Sequence, residues 1–213
     1  MKKIVIIGGK GNGTVIASTI EDCKKDNMNV ECIGFLNDKE TKINDYPVLG
    51  KINNNDWKSL DSEYYFIWAL STVKKNPERC EIYKKLNIPI KRFATIIHPT
   101  AVVSAKAKLG YGVVIMPLSH VGPNVILNNH TQMYAQSFIG HDSRTEEMVF
   151  LASNAKVSSN VLIKYGAHLG INCSVKEAVR VGKFAIVGMG AVVLKNVGNN
   201  EIVVGNPAKI LEK

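Results

Sequence analysis

The chain has 213 residues, 46% hydrophobic and 21% charged, the composition of a soluble globular protein long enough for two modest domains. Its net charge of +9 suits an anionic partner, yet the lysines come as scattered pairs (Lys2/Lys3, Lys24/Lys25, Lys74/Lys75, Lys84/Lys85) and aromatics are only 7%. A basic stripe interleaved with stacking rings is therefore missing, no nucleic-acid partner is expected, and the charge reads as solubility plus attraction to phosphorylated ligands.

No run of eighteen apolar residues offers a membrane span, and the apolar run Ile4-Val5-Ile6-Ile7 is too short for a signal peptide. Cys23, Cys32, Cys80 and Cys173 have no paired spacing and read as small buried residues in a reducing compartment. A cytoplasmic location is the expectation.

In chain order, residues 3–7 read as a buried strand that ends in Gly8-Gly9-Lys10-Gly11-Asn12-Gly13. Val15, Ile16, Ile20 and Cys23 then follow a helical period, with the helix ending near Asn27. Val30 to Leu36 is a second strand closed by Asn37-Asp38, and Tyr64 to Leu70 a third closed by Ser71-Thr72. Asn76 to Leu86 reads as a second helix with Pro77 suited to its first turn, and Pro89 to Ile97 as extended chain. Strand–helix–strand alternation predicts a small open parallel sheet, an α/β Rossmann-like domain over residues 1–96.

The glycine turn is a degenerate dinucleotide fingerprint. From Gly8 the middle glycine position is Lys10, and from Gly9 the last is Thr14, so a complete NAD signature is absent. Backbone amides at a helix start still suit a phosphate, and ligands of such sheets lie beyond the carboxyl ends of the strands. Gly8, Gly9, Lys10, Gly11, Asn12, Asn37, Asp38 and Ser71 thus form one rim, which fits a nucleotide-sugar better than NAD.

From Ile97 to Val193 every sixth residue is apolar, with Thr145 the single exception. A small or β-branched residue stands two places before each of them. Neither a helix nor a flat strand has this period; it marks a parallel β-helix whose stacked coils share a buried core. Residues 97–213 are accordingly predicted to be an all-β hexapeptide-repeat β-helix with a C-terminal tail. Glycines at 110, 122, 140, 170, 182 and 188 follow the repeat position and are expected at corners that need φ > 0.

Three hexads close a coil, so residues 18 apart stack. No two of His98, His120, His130, His141 and His168 differ by a multiple of 18, which removes a metal-binding column within one chain. His141 alone has an acidic neighbour, in Ile139-Gly140-His141-Asp142, with Ser159 one coil later. An adjacent carboxylate orients an imidazole and raises its basicity. The pair reads either as a general base with its orienting acid or as a surface corner histidine bonded to its neighbour. Cys173 occupies a buried small-residue position of the repeat.

Taken together, Gly8-Gly9-Lys10-Gly11-Asn12-Gly13, Phe35-Leu36-Asn37-Asp38, Ile139-Gly140-His141-Asp142, Leu169-Gly170-Ile171-Asn172 and Val204-Gly205-Asn206-Pro207-Ala208-Lys209 resemble a known family over nearly the whole chain. It is the bacterial sialic acid O-acetyltransferase and nucleotide-amino-sugar N-acetyltransferase family. The resemblance implies a left-handed β-helix, a homotrimer, and acetyl-CoA as co-substrate lying between neighbouring β-helices. It implies that His141 is the general base, that Asp142 enhances its basicity, and that the N-terminal rim holds a nucleotide-activated amino sugar. Ile171, Met189 and the backbone of Ser159 match positions lining the acetyl-CoA cleft. Phe150 stands where a second, CoA-contacting histidine often lies, and Tyr134 where some members have asparagine. The expected reaction is N-acetylation of a nucleotide-linked 4-amino-4,6-dideoxy sugar for a surface glycan. A sugar O-acetyltransferase and a non-catalytic hexapeptide scaffold stand as alternatives, and no metal is expected.

Overall fold

Ile4 to Ile7 are fully buried, and this run builds an interior strand of the N-terminal sheet, flanked by a parallel strand on each side. A computed structural model describes residues 1–212. The N-terminal elements are β1 (Lys2–Ile7), α1 (Asn12–Lys25), β2 (Val30–Leu36), β3 (Lys42–Ile43), β4 (Tyr46–Gly50), β5 (Tyr65–Trp68) and α2 (Asn76–Leu86). The sheet order is β3-β4-β2-β1-β5, with β1 parallel to β2 and β5, β4 parallel to β2, and β3 antiparallel to β4. The three expected strands and two helices are present. The β3–β4 hairpin was not foreseen, because its strands are short and only half-buried. Residues Ile90–Arg92 form a 3-10 turn within the stretch expected to be extended.

Strand alternation sends the two faces of β1 into different cores. Ile4 and Ile6 pack with Ile16, Ala17 and Ile20 of α1, whereas Val5 and Ile7 pack with Phe66, Trp68, Phe93 and Cys80 of α2. The first of these cores continues into Ile96, Val114, Met116, Tyr134, Phe150 and Ala152 on the outside of the repeat domain. The two domains therefore share one apolar interface.

The repeat domain is a parallel β-helix of two-residue strands, each paired in parallel with the strand 18 residues on, as in Val121↔Ile139 and Ile139↔Val157. Three sheets result. Sheet I has six strands, from Val102–Val103 to Val192–Val193, and sheet II has five, from Lys108–Leu109 to Arg180–Val181. Sheet III has eight, starting at Ile96–Ile97 and ending with Ile202–Val204 and the antiparallel Lys209–Ile210. The sixth-residue series fills the interior, Val121 through Leu169 being buried almost without exposure. Thr145 is equally buried; its hydroxyl meets that of Thr131 at 2.8 Å and accepts from Asn128 N at 3.2 Å, so the polar exception carries its own partners.

The corner glycines act differently from expectation. Left-handed backbone falls at every sixth position from 112 to 190, occupied by Asn124, Asp142, Asn154, Asn160 and Asn172 among others, and by glycine only at 112, 166 and 190. Asn and Asp tolerate this conformation better than most residues. None of the glycines at 110, 122, 140, 170, 182 and 188 is left-handed. They are needed for coil stacking instead: a Cβ on Gly140 would stand 2.8 Å from Ser158 C and 2.9 Å from Ser159 N, closer than real Cβ atoms come.

Candidate functional site

His141 follows Gly140 at the vertex where the chain passes from sheet I to sheet II. Its side chain is 55% exposed, and its Nδ1 lies 2.7 Å from Asp142 Oδ2. The left-handed backbone of Asp142 (φ 58°) turns that carboxylate back along the vertex. One coil earlier stands Asn124, also left-handed (φ 59°), whose Nδ2 donates to Asp142 Oδ1 at 3.0 Å. The bonds from His141 and then Asn124 hold the Asp142 carboxyl below its usual range, so it is ionised at neutral pH. With Nδ1–H given to Asp142, Nε2 carries the imidazole lone pair toward solvent, the arrangement of a base with an orienting acid. Asn124 was missed in the sequence, although the 18-residue stacking rule applied to Asp142 reaches it directly.

Ser159 sits one coil beyond His141. The carbonyl of His141 accepts from Asn160 N at 3.0 Å, and the bare Cα of Gly140 leaves the Ser159 amide reachable. Ile171 and Met189 stack at a different vertex, between sheets III and I, 45% and 76% exposed. The residues expected to line one cleft are thus split between two vertices of the same prism. Phe150 departs from expectation. It is 6% exposed, stacks on His168 with ring centroids 4.7 Å apart and leans on Tyr134 at 4.6 Å, and so belongs to the packing between the domains.

The N-terminal rim assembles as expected at the carboxyl ends of β1, β2 and β5. Asn37 Nδ2 donates to Gly8 O at 2.9 Å, while its Oδ1 accepts from Lys39 N and Glu40 N at 2.8 Å. Asn37 therefore shapes the rim and spends its polar atoms doing so. A Cβ at position 9 would stand 2.7 Å from Asn37 Nδ2, so a larger residue there would displace the Asn37 amide from Gly8 O. Asp38 Oδ1 accepts from Asn53 N at 2.9 Å, and Asn12 Nδ2 donates to Ser71 O at 2.7 Å, joining two rim loops. Lys10 is exposed and lies 3.4 Å from Glu40. Gly11 (φ 85°) flanks the start of α1, which has no side-chain cap and no acid in its first turn, and this leaves the first amides and positive dipole end for an anion.

The other ionisable groups divide by burial. Burial pushes His130 down to about 3 and His168 down to about 4, so both imidazoles are neutral packing groups, and His120 stacks on Phe138 at 5.2 Å. Burial pushes the Cys173 thiol up to about 12, leaving no thiolate at neutral pH. Among the described residues no group of three His, Cys, Asp or Glu side chains could hold a metal, and no helix is long and apolar enough to cross a membrane.

The position of the rim relative to His141 matters most. The N-terminal domain packs on the outer face of sheet III, through Val114, Met116, Tyr134 and Phe150, and is tied there by Asn76 Nδ2 to Gly166 O (2.9 Å) and Tyr83 Oη to His130 Nε2 (2.8 Å). His141 occupies the vertex between sheets I and II, the one that does not border sheet III. Within one chain the rim and His141 lie on opposite sides of the prism.

Residues 3–86 match the family model described as the PglD N-terminal domain. The acetyltransferase domain of PglB from Neisseria gonorrhoeae is 26% identical, with TM-score 0.84 over 99% of this chain and 100% of that one. PerB from Caulobacter crescentus, solved with CoA and GDP-perosamine, shares the fold at 24% identity and TM-score 0.81, covering 100% of this chain and 98% of that one. A serine acetyltransferase from Buchnera aphidicola is 27% identical over 68% of this chain and 51% of its own length. An acyl-carrier-protein–UDP-N-acetylglucosamine O-acyltransferase from Bartonella quintana is 29% identical over 45% of this chain and 38% of that protein. The chain thus spans about half or less of these two curated relatives.

Proposed function

We propose that this chain is an acetyl-CoA-dependent acetyltransferase of the hexapeptide-repeat kind, acting on the amino group of a nucleotide-linked 4-amino-4,6-dideoxy sugar. The observation that carries the reading is the Asn124–Asp142–His141 chain of bonds, which aims an oriented imidazole outward from a β-helix vertex. The likeness to PerB, solved with CoA and GDP-perosamine, supports a sugar-nucleotide acceptor, and the PglB domain, solved with acetyl coenzyme A, supports the donor.

In the proposed reaction the rim binds the nucleotide, with its phosphates at the open start of α1 and Lys10 beside them. His141 Nε2 takes a proton from the sugar amine as its nitrogen attacks the thioester carbonyl. The Ser159 amide, reachable past Gly140, faces the developing oxyanion. Collapse breaks the carbon–sulfur bond, and the imidazolium returns its proton to the departing thiolate. Transfer is direct, since the buried thiol of Cys173 is in no state to attack.

Because the rim and His141 of one chain face away from each other, each reaction centre in this reading joins the rim of one chain to the His141 vertex of another. A homotrimer satisfies this with three equivalent centres. The donor cleft then lies between β-helices, lined by Ser159 of one chain and by Ile171 and Met189 of the next. Phe150, held in the domain interface, is not part of it.

The test is thiol release from acetyl-CoA against UDP-, dTDP- and GDP-linked 4-amino sugars. Turnover with one of them and an alkali-stable product is the expected result. An alkali-labile product would replace the amine by a hydroxyl acceptor, and failure to bind CoA at all would leave a non-catalytic scaffold.

A further inference from the structure

Five buried side-chain polar atoms find no hydrogen-bond partner among the described residues, and all lie at or near the junction of the two domains: Arg79 Nε, His130 Nδ1, Gln132 Oε1, Tyr134 Oη and His168 Nδ1. Three of them belong to residues lining one small cavity. It measures about 10 Å³ and is walled by Arg79, His130 and Gln132 together with Trp68, Ser71 and Asn76. That volume is at the lower limit for a single water, and two flanking residues with unpartnered polar atoms, Arg79 and Gln132, suit one.

The residues around this cavity also grip the β5–α2 loop, residues 69–75, which carries Ser71 of the nucleotide-sugar rim. Gln132, 2% exposed on sheet III, donates through Nε2 to Trp68 O at the end of β5. Asn76, 8% exposed at the start of α2, donates through Nδ2 to Gly166 O at 2.9 Å and accepts from Thr72 N at 3.4 Å. The loop is thus fastened at both ends to the β-helix, while Asn12 fastens its middle to the glycine turn.

We infer that Gln132 and Asn76 are positioning residues for the acceptor, and that Arg79 and Gln132 complete the support with one shared water beneath Ser71. The water accepts from Arg79 Nε–H and donates to Gln132 Oε1. Beside this cavity His130 Nε2 pairs with Tyr83 Oη at 2.8 Å, a further tie between the two domains. The β-helix, rather than the N-terminal domain alone, sets where the nucleotide-sugar rim stands. This inference rests on the proposed assignment of the rim to the acceptor.

Gln132→Met, which keeps volume but removes both polar atoms, and Asn76→Ala test it independently, so one unfolded variant does not decide the matter. Thiol-release kinetics in the intact chain should show the acceptor KM raised about tenfold, with kcat and the acetyl-CoA KM within about threefold of wild type. Hydrogen exchange should quicken at amides 69–75 and stay unchanged in the β-helix. An acceptor KM within about twofold of wild type in a folded variant, or both KM values rising together, overturns the positioning role. If wild type turns over no nucleotide-sugar, the acetyltransferase reading fails separately. Exchange then decides: faster exchange at 69–75 upholds the support, and unchanged exchange in both variants overturns it.

Discussion

A general base needs a lone pair in reach of the acceptor and a partner that fixes the other ring nitrogen. His141 has the partner in Asp142, and Asp142 has its own in Asn124. His141→Ala should lower kcat by about 10²–10⁴-fold and leave acetyl-CoA affinity unchanged, as read by thiol release and by CoA titration. Asp142→Asn presents either an amide donor or a weaker acceptor to Nδ1. Because the pair is half exposed, the expected loss is milder than in a buried triad, about 10- to 100-fold in kcat with little change in KM. Wild-type kcat in either variant would remove His141 from the chemistry. The pair was legible in the sequence because its members are adjacent; Asn124 was not, because its contact exists only when coils stack.

Within the elements, the hexad period made the β-helix legible before any contact was known, since a buried position every sixth residue has one geometric solution. The role of the corner glycines was misread. Left-handed backbone is carried mostly by Asn, Asp and larger residues, and the expected glycines instead admit the next coil. Gly140→Ala should therefore destabilise by about 1–3 kcal/mol, read as a lowered midpoint in denaturant, and should also screen the Ser159 amide. The domain junction makes a second prediction. His130 and His168 are held neutral by burial, at about 3 and about 4, against an ordinary value near 6.5. Unfolded, both take up protons as pH falls below about 6.5, whereas the fold refuses them until its own lower values. Stability should thus be full above about pH 6.5 and fall toward pH 4, by at most about 1.4 kcal/mol per pH unit for each group. Denaturant titrations of wild type and His130→Phe across that window check it: the variant should lose about one proton of slope.

For the whole molecule, the N-terminal rim lies on one side of the prism and His141 on the other, so the proposed reaction cannot join them within a monomer. A complementation experiment follows from the proposed trimer. Ser71→Trp, which blocks the rim, and His141→Ala should each be inactive alone. Refolded together at equal amounts, they should recover about a quarter of wild-type activity, since each centre pairs an intact rim with an intact base by chance in one case of four. No recovery, with light scattering showing mixed oligomers, would place rim and base in the same chain.

By itself the sequence determined what depends on local spacing: the strand and helix order of residues 1–96, the coil period of the repeat domain, the glycine rim and the His141–Asp142 pair. Each of these is set by side-chain periodicity or by neighbours along the chain. Only the tertiary structure decided what depends on coil stacking and on domain docking. It brought Asn124 to Asp142, placed Phe150 in the interface in place of the donor cleft, and put His141 on the vertex away from the N-terminal domain. The reason is physical: contacts between residues 18 apart, or between domains, arise when apolar faces bury one another, and no local pattern records which faces those will be.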